Sequence, residues 1–100
     1  MVRIPVETEK IALYCRRYFI RKLSLFGSVL RDDFRSDSDV DVLVEFFPGH
    51  VPGFLKIAEM ERELSSLLGG RTVEIRTPGD LSRYFRDEVV ESAETLYAQE

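Results

Sequence analysis

Val40-Asp41-Val42-Leu43-Val44-Glu45-Phe46 is the stretch on which the fold turns. Its β-branched residues predict a strand. Side chains alternate along a strand, so Val40, Val42 and Val44 go to one face, and Asp39, Asp41, Leu43 and Glu45 to the other. Asp39 and Asp41 share a face two residues apart, close enough to repel, and nothing in their own strand neutralises them. Taken alone, the strand is read most simply as an edge strand with a solvated polar face, because alternating strands are common.

Just before this strand, residues 28–38 carry five charged side chains and few apolar anchors, which suits a short helix starting at Ser28 and then a loop. Before them, Lys22-Leu23-Ser24-Leu25-Phe26 alternates until Gly27 stops the pattern, and predicts another strand. Ile11, Tyr14, Cys15 and Tyr18 recur at three- and four-residue steps within a helix over about Thr8–Phe19, with Thr8 as its N-cap. On the far side, the Pro48–Gly53 segment is a loop by its prolines and glycines. Phe54, Ile57, Ala58, Met60, Leu64, Leu67 and Leu68 trace a second amphipathic helix, stopped by Gly69-Gly70. Thr72-Val73-Glu74-Ile75-Arg76 predicts a third strand. Asp80 can cap a last helix with Leu81, Tyr84, Phe85, Ala93 and Leu96 facing inward.

The expected order is thus helix, strand, short helix, strand, helix, strand, helix. It describes an α/β (α+β) domain with a three-stranded mixed sheet packed on helices. The 54–68 crossover lets strands 40–46 and 72–76 run parallel.

With 100 residues the chain is expected to form a single domain over 1–100, able to bury roughly two-thirds of its unfolded surface. Hydrophobic residues at 44% and charged residues at 32% fit a globular protein rather than a disordered one. The net charge of −4 argues against a direct nucleic-acid binder that lives on phosphate contacts. Glu45, Pro48 and His50 interrupt the most apolar run, so no membrane span is expected. The start, Met1-Val2-Arg3-Ile4-Pro5-Val6-Glu7, lacks the plan of a secretion signal, and cytoplasmic residence is the default. A lone Cys15 excludes an internal disulfide and reads as a small apolar helix residue.

Two features change the reading of the central strand. Glu74 is flanked by Val73 and Ile75, which must go to the core, so Glu74 points to the same side as Asp39 and Asp41. Three carboxylates meeting on one face suit a hard divalent cation such as Mg²⁺. Gly27-Ser28, at the end of the first strand, opens a short helix where the backbone can approach an anion such as phosphate. Either feature alone is weak, since a strand glutamate is usually exposed and a serine before a helix is usually a cap.

Together, Gly27-Ser28, ten intervening residues and then Asp39-Val40-Asp41 place a phosphate-holding turn one strand away from a metal-holding pair. Here the sequence resembles the minimal nucleotidyltransferase (MNT) family of the polymerase-β-like superfamily, whose signature is Gly-Ser, a spacer and Asp-x-Asp. The run from Phe26 to Phe46 carries the resemblance, which continues through Val73–Pro78 and Leu81–Asp87. Asp32 stands where the family often has glycine, Leu30 where alanine is common, and Glu74 where the third carboxylate is often aspartate.

The resemblance implies that Asp39 and Asp41 bind Mg²⁺, that Glu74 serves as ligand and base, and that Gly27 and Ser28 hold the triphosphate of ATP. It further implies an antitoxin that transfers AMP to a hydroxyl, that of a tyrosine, on a HEPN-type ribonuclease toxin. Two other readings compete with it. One is a catalytically silent module that neutralises a partner by contact. The other is an unrelated small α/β domain whose carboxylates do not converge.

Overall fold

The structure, a computed structural model, describes residues 7–27, 39–80 and 86–99. The elements are α1 (Thr8–Arg17), β1 (Ile20–Phe26), β2 (Val40–Phe46), α2 (Phe54–Leu67), β3 (Val73–Arg76), a 3₁₀ turn (Pro78–Asp80), α3 (Arg86–Ser92) and β4 (Glu94–Ala98). The short helix expected from Ser28, and the inward-facing Leu81, Tyr84 and Phe85, lie outside the described residues.

The sheet has four strands in the order β3-β2-β1-β4, not the three expected from the sequence. β2 and β3 are parallel, as the α2 crossover demands, while β1 is antiparallel to both β2 and β4. The single long final helix is corrected to the short α3 followed by β4. Without β4, the outer edge of β1 would carry unpaired backbone groups. Pairing of Ser24 with Thr95 and Leu25 with Glu94 satisfies it, and the Gln99 N–H donates to the Arg21 carbonyl at 2.8 Å. Leu96, placed on a helix by its spacing, instead packs on the core from this strand.

β2 is therefore interior, with a strand on each side, and the edge-strand reading of its carboxylates falls. Val40, Val42 and Val44 are fully buried beneath Ile11, Tyr14 and Cys15 of α1 and Met60 and Leu64 of α2. The Tyr14 hydroxyl ties the two helices by donating to the Met60 carbonyl at 3.0 Å. Thr8 is the first helical residue rather than the cap, a place taken by Glu7 in extended conformation. At the end of α2, Gly69 and Gly70 both adopt positive φ, a backbone that a side chain would resist, and the Gly70 N–H returns to the Ser65 carbonyl at 2.8 Å.

At one end of the sheet, Phe19 turns α1 into β1 with a φ of 58°; its carbonyl accepts from the Phe47 N–H and its ring stacks on His50 at 4.0 Å. Strand direction puts Gly27 and Asp39 at the opposite end. No helix among the described residues is long and apolar enough to cross a membrane.

Candidate active site

The face of the sheet opposite α1 and α2 is built by register. Asp41 of β2 lies opposite Phe26 of β1 in the antiparallel pairing and opposite Glu74 of β3 in the parallel one. The three valines of β2 and the Val73/Ile75 pair of β3 are drawn to the core, so alternation turns Asp41 and Glu74 to the same side. Farther along this face Ser24 and Leu43 pair with each other and are both buried. It is therefore not a uniformly solvated acidic surface.

Gly27 follows Phe26 directly and takes a φ of +78°, in the left-handed region that favours glycine. A Cβ built at this position would stand 2.5 Å from Asp41 Oδ2, closer than such atoms approach. Position 27 thus excludes a side chain on two counts, backbone conformation and the space taken by the Asp41 carboxylate.

Asp39 precedes β2 and is exposed, and the next residue anchors the strand, the Val40 N–H donating to the Thr72 carbonyl at 2.8 Å. Glu74 is half-exposed and forms an ion pair with Arg76, two residues on, at 3.4 Å. Of the residues singled out from the sequence, Gly27, Asp41 and Glu74 are gathered at one end of two adjoining strand pairs, with Asp39 at its solvent side. Ser28 lies outside the described residues.

Among the described residues, no three carboxylate, imidazole or thiol groups are placed as a ready metal cage. The donor set nonetheless suits Mg²⁺. That ion takes one or two carboxylates and completes its shell with water and substrate phosphate oxygens, so Asp39 and Asp41 can suffice as protein ligands.

The sequence reading missed two residues of α2 that meet the backbone around β3. Glu61 Oε2 accepts the Ile75 N–H at 2.8 Å, and the Ser65 hydroxyl donates to the Arg71 carbonyl at 2.5 Å. Their signal is their spacing of four on one side of the helix, which an amphipathic pattern absorbs as ordinary polar surface.

Residues 8–96 match a family model described as nucleotidyltransferase domain. Among curated proteins, the chain is 44% identical over 55 residues to the protein adenylyltransferase MntA of Thermococcus cleftensis, a match covering 55% of this chain and 54% of that protein. It is 29% identical over 85 residues to a Methanocaldococcus jannaschii protein provisionally named a protein adenylyltransferase, covering 85% of this chain and 88% of the relative. The chain thus spans about half the length of the Thermococcus relative. A solved structure provisionally assigned as a minimal nucleotidyltransferase superposes with a TM-score of 0.69 at 35% identity, over 86% of this chain and 85% of that one. A crystal structure of a toxin–antitoxin with AMP-PNP gives 0.73 at 20% identity, over 95% and 76%, and at that identity supports the fold alone.

Proposed function

The chain belongs to the nucleotidyltransferase domain family, and on that ground we propose that it is an antitoxin that transfers AMP from ATP to a tyrosine hydroxyl of a HEPN-type ribonuclease toxin. The observation that carries the reading is the contact of Gly27 with Asp41, in a sheet whose register sets Glu74 beside Asp41. The name of the Thermococcus relative supports adenylyl transfer to protein, and structural neighbours that are MntA–HepT toxin–antitoxin complexes support a partner of that class.

In the proposed reaction the acceptor oxygen attacks the α-phosphorus of ATP. A new oxygen–phosphorus bond forms, the bond from the α-phosphorus to the bridging oxygen breaks, and pyrophosphate leaves. Asp39 and Asp41 would hold Mg²⁺, which would neutralise charge on the attacking and leaving oxygens. Glu74 is assigned to receive the proton of the acceptor hydroxyl. Gly27 and Ser28 bring backbone N–H groups to the triphosphate.

The test is incubation of the chain with α-labelled ATP, Mg²⁺ and the product of a HEPN-type toxin gene. Label on that product supports the reading. Tight Mg²⁺-independent association without label would favour a contact-only antitoxin.

A further inference from the structure

We propose that Glu61 and Ser65 are positioning residues, a clamp of two side chains one turn apart on α2 that fixes the register of β3 and so holds Glu74 beside Asp41. The inference rests on the proposed role of those carboxylates.

β3 is an edge strand of four residues with β2 on its inner side. The Val40 N–H donates to the Thr72 carbonyl, so the backbone groups of residues 72 and 74 face β2. Alternation then turns the Arg71 carbonyl and the Ile75 N–H outward, where no further strand among the described residues meets them. Both are met by α2. Ser65 donates to the first and Glu61 accepts from the second.

The pairing is matched in sequence. Helix and strand run in opposite senses, so that residue 65 serves 71 and residue 61 serves 75. Four residues advance about 6 Å along a helix but about 13 Å along a strand. The long reach of glutamate against the short serine accommodates the difference. Between these bonds the seam is an open groove of about 410 Å³ lined by Ala58, Glu61, Arg62, Ser65, Thr72 and Val73. The two hydrogen bonds thus act at the open edge of the seam, in addition to the burial of Val73 and Ile75.

Register matters because a slip of one residue would turn Glu74 into the core and Val73 and Ile75 out to the site face. A strand this short has few ladder bonds of its own with which to resist that slip. The clamp supplies two more, on the edge that β2 does not hold.

The test titrates Mn²⁺ with ATP into the full chain and follows the broadening of the Asp41 and Glu74 amide signals, together with solvent exchange of the Ile75 amide. In Glu61→Leu, exchange at Ile75 should quicken and the Mn²⁺ half-saturation should rise by about tenfold. Glu61→Gln, whose amide oxygen still accepts, should stay within about twofold of the parent on the same scale. A folded Glu61→Leu with parental half-saturation overturns the clamp. Should that variant fail to fold, Ser65→Ala decides: a raised half-saturation supports the clamp, and an unmoved one overturns it. If the parent chain itself shows no broadening with Mn²⁺ and ATP, the reading of the site fails and the clamp falls with it.

Discussion

Gly27 and Asp41 exclude one another's freedom: a Cβ on residue 27 would stand 2.5 Å from Asp41 Oδ2. The first strand ends, and the chain turns, against the carboxylate of the second. This close approach joins the end of β1 to Asp41 of β2, two positions proposed above to serve the triphosphate and the cation, through the antiparallel pairing of Phe26 with Asp41.

Gly27→Ala should therefore be costly in two separable ways. Its positive φ strains any side chain by about 1 kcal/mol, and displacing the Asp41 carboxylate adds to that. Chemical denaturation should show a loss of about 1–3 kcal/mol. Calorimetry should show weakened Mg²⁺-dependent ATP binding even where the variant is fully folded.

Asp41→Asn should leave the fold intact, because it removes a negative charge from a face that also carries Glu74. Thermal unfolding is expected at or slightly above the parental midpoint, with AMP transfer abolished. A large loss of stability would show that Asp41 serves the fold rather than the chemistry.

Tyr14→Phe removes the hydroxyl that links α1 to the Met60 carbonyl of α2 while keeping the ring. The expected cost is about 1 kcal/mol in equilibrium unfolding. Nucleotide binding should not change, since this bond lies on the helix-covered face of the sheet.

High pH should weaken the fold through buried neutral groups on α1. Burial pushes the Cys15 thiol from 9.0 up to about 12, and raises the Tyr14 hydroxyl as well. The folded chain keeps these protons over a range in which the unfolded chain releases them. Stability should be level below about pH 8.5 and then fall by up to about 1.4 kcal/mol per pH unit for each group. Cys15→Ala should flatten that slope between pH 9.0 and about 12 in denaturation series run across the range.

The register that sets Asp41 beside Glu74 was legible in the sequence, because it depends on strong local patterns. The valines of β2 and the Val73/Ile75 pair fix which side chains face the core, and the α2 crossover fixes parallel strands. These together bring Asp41 and Glu74 to one face. β4 escaped because Ala93 and Leu96 fit a helical step as well as a strand. What decides between them is the open edge of β1, a non-local fact. Glu61 and Ser65 escaped for the same reason, since a helix shows its own periodicity but not the strand edge its polar side chains will meet.

Transfer of AMP to a protein hydroxyl from the site around Asp39 and Asp41 is read by mass spectrometry of a HEPN-type toxin, intact and as peptides, after co-production with this chain, parent or Asp39→Ala. With the parent chain the toxin should gain the mass of one or more AMP groups, on a tyrosine-containing peptide, and with the variant none. An unmodified toxin neutralised equally by both chains would refute that transfer.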